Sequence, residues 1–144
     1  MYLIDTHVVS ELRKVSRCHP AVAAWATHAD PSLQFLSVIS VLELQIGVMR
    51  VERRDALSGA QLRRWLDDQV LATFADRTLS IDTAVARVCA ALHVPDARPE
   101  RDALIAATAL HHRMTLVTRN TRDFAGLALA VLNPWEFAGP SGPD

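Results

Sequence analysis

Residues 102–124, DALIAATALHHRMTLVTRNTRDF, decide the fold class. From Asp102 to His112 the run is apolar almost all the way round a helix, which marks a helix buried on every side. Leu116-Val117 then reads as a short strand, and Thr118 to Asp123 as a polar turn. At the opposite end of the chain, Tyr2-Leu3-Ile4 is an apolar strand that stops at Asp5. Thr6 offers a cap for the helix that follows, and Val8, Val9 and Leu12 supply its apolar side. Strands that hand over to helices at both ends of the sequence indicate a parallel sheet covered on both faces, with right-handed crossovers.

Between these ends the same alternation continues. His19-Pro20 starts a second helix through Ala26, with proline in a tolerated first-turn position, and Gln34-Phe35-Leu36 is the second strand. Ser40-Val41-Leu42-Glu43 opens a helix reaching about Arg50, and Arg53 to Asp55 is a polar break. Leu62, Trp65, Leu66 and Val70 recur at helical spacing, so Ser58–Leu71 is an amphipathic helix. Thr78 to Ile81 is the third strand, Asp82 caps a helix holding Val85, Val88, Cys89 and Leu92, and Pro95 and Pro99 bracket a loop. Leu129 to Leu132 is the fifth strand. The expectation is one domain, residues 1–137, with a three-layer α/β/α architecture and a parallel, about five-stranded sheet, followed by a mobile tail, residues 138–144.

A chain of 144 residues, half of them hydrophobic, is long enough to bury roughly 68–70% of its unfolded surface. Its formal net charge of −1 carries no global signature of a polyanion partner, so any such site must be local, built from a basic rim or a bound metal. The basic residues are almost all arginine, with Lys14 the sole lysine. Arginine's planar fork suits phosphate contacts, although genome base composition produces the same bias. Cys18 and Cys89 lack CxxC spacing and read as ordinary buried thiols of a reducing compartment. With no basic leader ahead of Ile4 and no bilayer-length apolar run, a soluble cytoplasmic protein is expected.

Four carboxylates lie within or beside apolar runs: Asp5, Glu43, Asp102 and Asp123. In open α/β sheets the ligand site lies outside the carboxyl ends of the strands, and this topology can gather all four at that edge. Two carboxylates about 4 Å apart repel by roughly 4 kcal/mol at an effective dielectric of 20, so a cluster of four calls for a divalent cation. Each residue also has a purely structural reading. Asp5 can cap the first helix. Ser40-x-x-Glu43 matches a capping box. Asp102 can complement a helix dipole. Asp123 can belong to a polar turn whose Phe124 enters the core, leaving Asn120 to supply the fourth oxygen. Glu11 reads as solvated or ion-paired. The six histidines show no HxxxH or HxH spacing, and there is no Gly-rich phosphate loop, GxSxG elbow or Cys/His nucleophile pattern.

Three ordered stretches, LIDTHVVSEL, LSVISVLELQIGV and DALIAATALHHRMTLVTRNTRDF, together with the ending NPWEF, resemble PIN-domain ribonucleases. Within that family the chain is similar to the VapC toxins of toxin–antitoxin pairs, in their FitB-like branch. The resemblance implies an acidic metal site made of Asp5, Glu43, Asp102 and Asp123, with Asp5, Asp102 and Asp123 as ligands of Mg²⁺ (or Mn²⁺). Glu43 would orient or deprotonate the attacking water. Thr6, His7, Thr118 and Asn120 would line the pocket. The family has asparagine where this chain has His7, a departure that bears on metal preference and substrate fit. The resemblance further implies an RNA substrate, a cognate VapB-like antitoxin, a homodimer and a toxin–antitoxin hetero-oligomer. An aspartyl phosphatase would need a second aspartate at position 7, and a phospho-receiver a late lysine; this chain has neither. A degenerate PIN fold serving as a binding module is the remaining alternative.

Overall fold

The computed structural model describes residues 1–14 and 16–139. Five strands, β1 (Tyr2–Ile4), β2 (Gln34–Ser37), β3 (Thr78–Leu79), β4 (Thr115–Val117) and β5 (Val131–Leu132), form one sheet in the order β3-β2-β1-β4-β5. Every pairing is parallel, with Leu3 opposite Phe35 on one side and Leu116 on the other. The chain builds outward from β1 in one direction, then returns to add β4 on its other flank. The boundary between β1 and β4 is therefore the point where the strand order reverses, the place at which such sheets bind ligands.

The helices are α1 (Thr6–Leu12), α2 (Pro20–His28), α3 (Val38–Arg54), α4 (Ala56–Arg64), α5 (Leu71–Thr73), α6 (Thr83–Leu92) and α7 (Glu100–His112). Strand side chains alternate between faces, so Leu3 and Leu116 point into one core and Ile4, Leu36 and Val117 into the other. The first core is closed by Ile105, Ala106 and Ala109 of α7, the second by Val8, Val22, Trp25, Leu44, Val48 and Leu66. This makes the three α/β/α layers expected from the alternating pattern. As anticipated, α7 is buried on several sides; Ala103 and Ala107 turn away from the sheet to meet Val85 and Cys89 of α6. No described helix is long and apolar enough to cross a membrane.

Several local expectations are corrected. Asp5, rather than Thr6, caps α1, its Oδ1 accepting the Thr6 N–H at 2.8 Å. Helix α3 starts earlier and ends later than its apolar pattern suggests, because Ser37 caps it by accepting the Ile39 N–H and because Arg53 and Arg54 complement the negative end of the helix dipole. Ser40 thus lies inside the helix, its hydroxyl buried without a hydrogen-bond partner, and the Ser40–Glu43 capping box does not form. Only Asp55 breaks the helical run, and it caps α4 through the Ser58 N–H.

The Ser58–Leu71 helix is longer than expected, running from Ala56 to Thr73 with a π-helical stretch at Trp65–Val70. Leu66 and Val70 on that stretch are sealed in the core, so Leu66 is unavailable for contact with a second copy of the chain. Trp65 is half-buried under the Arg13 guanidinium, 5.7 Å from its ring centroid. The expected mobile tail falls largely on residues 140–144, which lie outside the described residues.

α3 and α4 form a close antiparallel pair. Arg63 donates to both Glu52 carboxylate oxygens, at 2.7 and 3.3 Å, and to Gln45 Oε1 at 2.7 Å. Gly59 permits this approach, since a Cβ there would collide with the Glu52 backbone. The Gly59→Ala variant is therefore expected to lose about 1–3 kcal/mol of stability, read as a lower midpoint in thermal or urea unfolding. A wild-type midpoint would show that the two helices do not pack this closely.

Candidate active site

At the β1–β4 boundary the Asp5 N–H donates to the Val117 carbonyl at 2.9 Å, continuing the sheet for one residue beyond β1. Asp5 is 7% exposed, and both of its oxygens are held. Oδ1 takes the Thr6 N–H, and Oδ2 accepts from the fully buried Thr118 hydroxyl at 2.8 Å. The Thr118 Oγ1 in turn accepts the Asn120 N–H at 3.1 Å, which leaves its proton directed at Asp5. The capping and site readings of Asp5 are thus compatible, because a carboxylate has an oxygen for each. His7 Nδ1 lies 4.0 Å from Asp5 Oδ2 on an exposed side chain.

Glu43 sits in the second turn of α3, where Thr6 Oγ1 donates to its Oε1 at 2.9 Å. Its Oε2 is 4.0 Å from Arg101 Nη1. Asp102 lies in the first turn of α7. Burial pushes its carboxyl above the ordinary aspartate range, and the charges of Asp123, Asp5 and Glu43 push it further, while His7 opposes them. The charges of the other three acids are therefore all felt at Asp102. Asp123 reaches it from the 3-10 turn Thr121–Phe124, which is pinned by the buried Phe124. Asn120 and Asp123 are both exposed; Asn120 contributes its backbone N–H to Thr118, and the Asp123 charge acts on Asp102. Thr6, His7, Thr118 and Asn120 are all found around these acids, the two threonine hydroxyls acting as clamps on Asp5 and Glu43.

The donor set suits a hard cation. Its oxygens are all carboxylate, and burial together with like charge already raises the pKa of one of them. Among the described residues no three of these acids bring ligand oxygens within 4.8 Å of one another.

One group was not anticipated. Cys89, His93 and Glu100, on α6, its C-cap and the start of α7, place ligand atoms within 4.8 Å of one another and could share a metal ion. The Cys89-x-x-x-His93 spacing is the signal that could have pointed to them, since residues four apart share a helix face. The Arg98 N–H donates to His93 Nδ1 at 3.1 Å, leaving the ring proton on Nε2, 3.4 Å from Glu100 Oε2. The trio is thereby satisfied as a hydrogen-bonded bridge between α6 and α7.

Asp102 also makes the acidic centre visible in stability. Its folded pKa is raised, so the folded state holds the proton more tightly than the unfolded chain does. Stability is then lost as pH rises from the unfolded value through the folded one, and remains lower above it. In cation-free buffer at neutral pH, Asp102→Asn should unfold at a higher temperature than wild type, the gap closing in acid. Adding Mg²⁺ should raise the wild-type midpoint more than that of the variant. An unchanged or lowered midpoint for Asp102→Asn would argue against the repulsion.

The sequence profile described as PIN domain matches residues 2–129. Toxin FitB of Neisseria gonorrhoeae is 34% identical over 94% of this chain and 99% of its own length. The crystal structure of FitAcB from that organism matches with a TM-score of 0.85 at 33% identity, covering 95% of this chain and 100% of the other. Ribonuclease VapC14 of Mycobacterium tuberculosis is 48% identical over 51% of this chain and 70% of its own. A chain from a toxin–antitoxin complex of Klebsiella pneumoniae matches with a TM-score of 0.70 at 28% identity, over 93% of this chain and 98% of the other. With its parallel sheet reversing between β1 and β4 and this agreement along nearly its whole length, the chain belongs to the PIN-domain family, among the VapC-type toxins related to FitB.

Proposed function

We propose that the protein is the toxin of a toxin–antitoxin pair and a metal-dependent endoribonuclease acting at the Asp5, Glu43, Asp102 and Asp123 site. What supports this reading is that Asp5 after β1, Glu43 on α3 and Asp123 after β4 all act electrostatically on the partly buried Asp102 of α7. Asp5, Asp102 and Asp123 would hold Mg²⁺ or Mn²⁺. When bound, such an ion supplies Lewis-acid activation of the phosphodiester and of the attacking water. Asp5 is already oriented by Thr118 and the Thr6 N–H, so it needs little reorganisation to bind. Glu43 has one oxygen engaged by Thr6 and the other free of a close hydrogen bond, an arrangement suited to orienting or deprotonating water. RNA as the substrate follows the name of the mycobacterial relative. Exposed single-stranded segments, whose nucleotides can be splayed out, suit a site at a sheet edge.

A nuclease of cellular RNA must be held in check, and a complex of toxin with antitoxin is what the Klebsiella pneumoniae relative presents. In this chain the seat for an amphipathic helix of an antitoxin would be the groove between α1 and the α4–α5 rod. Val8 is sealed in the core; Val9 and Leu12 reach the groove beside Trp65, Val70 and Phe74, around a cavity of about 210 Å³. A neighbouring cleft, lined by Gly47, Leu62 and Trp65, leads on to Thr6 and Glu43. A basic side chain of the partner lying in it would meet the acidic centre and compete with the cation. Self-association into a homodimer belongs to the same reading, with Met49 and Leu57, both exposed on the α3–α4 pair, as apolar contacts.

The purified chain, freed of any inhibitor, is expected to cut RNA with Mg²⁺ or Mn²⁺ and to stop in excess EDTA. Glu43→Gln should lower kcat by roughly 10²–10⁴-fold, the span of a lost general base. Cleavage undiminished in EDTA or in Asp5→Asn would sink the metal-nuclease reading and leave a binding module. Separately, expression of the chain alone should arrest growth, and co-expression with its cognate antitoxin should restore it. Harmless expression of folded, RNA-cleaving protein would remove the toxin role while leaving the nuclease.

A further inference from the structure

Beside the acidic centre lies a second cavity, about 490 Å³ in volume, lined by Ser10, Glu11, Lys14, Arg119 and Trp135 and sharing His7 and Asn120 with the site already described. Its volume is within the roughly 300–1,000 Å³ of small-ligand sites. Its one carboxylate is already neutralised: Glu11 Oε2 accepts from Lys14 Nζ at 3.0 Å, and Oε1 from the His19 N–H at 2.9 Å. Arg119 differs. It is exposed, and among the described residues no carboxylate lies within 4.0 Å of it. Its guanidinium lies over the Trp135 ring, 5.0 Å from the centroid. That stack holds a planar cation at the cavity wall with its hydrogen-bonding edge unclaimed.

Arg119 also follows directly on Thr118, the residue that orients Asp5, and precedes Asn120, whose N–H steadies Thr118. The backbone that carries the cation and the residue that orients Asp5 are therefore on one short, braced turn. We propose that this cavity seats a nucleotide adjoining the scissile bond of a single-stranded RNA, its phosphate on Arg119 and its base against the Arg119–Trp135 stack. Arginine planes and aromatic rings both accept unpaired bases, and stacking of this kind is tolerant of sequence. The proposal rests on the nuclease reading, and it assigns to Arg119 the local positive charge that a chain of net charge −1 needs to hold a polyanion beside four acids.

The test is binding of a short, labelled, single-stranded oligouridylate to the full chain, with Ca²⁺ in place of Mg²⁺, over a range of salt concentrations. Arg119→Ala should weaken binding about tenfold and reduce the slope of log K against log salt by about 0.7, the value for one phosphate contact on a single strand. Arg119→Lys keeps the charge but not the plane, so it should retain the slope and lose part of the affinity. Arg87→Ala, on the exposed face of α6 away from the cavity, controls for the simple loss of a positive charge and should bind as wild type. Circular dichroism and the thermal midpoint check that each variant is folded. Equal affinity and slope in Arg119→Ala and wild type, or an equal loss in Arg87→Ala, overturns the subsite. Wild type that cleaves RNA while Arg119→Ala binds unchanged defeats the subsite alone. Arg119-dependent binding without cleavage under Mg²⁺ defeats the nuclease reading alone.

Discussion

The hydrogen bond from the Thr118 hydroxyl to Asp5 joins the ends of β1 and β4, and the geometry of the acidic centre depends on it. These two strands are 113 residues apart in sequence at that contact, yet they are neighbours at the reversal point of the sheet. Both residues are buried, Thr118 completely and Asp5 to all but 7% of its surface, so bulk water is a poor substitute for this bond. A buried carboxylate that lost this donor would have to protonate or move. The Asn120 N–H supplies the remaining constraint by occupying the acceptor side of the Thr118 hydroxyl. One short chain of hydrogen bonds, Asn120 to Thr118 to Asp5, thus orients the least solvated acid of the site.

Around that bond the fold concentrates negative charge. Thr6 clamps Glu43, and α7 carries Asp102 at its N-terminal turn, where the helix dipole favours an anion. The dipole does not outweigh the other influences, because burial and three neighbouring carboxylates still raise the Asp102 pKa. What holds Asp102 in place is packing. The alanines of α7 let it lie against both the sheet and α6, and Ile105 anchors it in the core. Stability stored in that helix offsets repulsion concentrated at its first turn. This division, a tightly packed scaffold carrying an electrostatically strained edge, suits the cation site proposed above.

Local sequence rules were least reliable where a residue has two uses. Asp5 reads as a helix cap, and it is one, but its second oxygen belongs to the acidic centre. Ser40 and Glu43 have the spacing of a capping box, yet Ser37 takes the cap one turn earlier because β2 ends there. Glu43 is consequently free to meet Thr6. Trp65 and Leu66 look alike as apolar residues on an amphipathic helix; the π-helical stretch seals Leu66 in the core and leaves Trp65 at the rim of a groove. Cys89 and His93 meet their third member only in the fold, because Glu100 comes from the next helix across a loop.

By itself, the sequence determined the alternation of strand and helix, the buried character of α7 and the identity of the acids worth watching. Those properties follow from periodicity and from the cost of placing charge in apolar runs, both of which are local. The strand order, the joining of Asp5 to Thr118, the shared field on Asp102 and the placing of Arg119 over Trp135 were decided only by the tertiary structure. Each of these depends on distances between segments far apart in the chain. Such distances are set by how the two cores fill on either side of the sheet, a property of packing that no single stretch of residues carries.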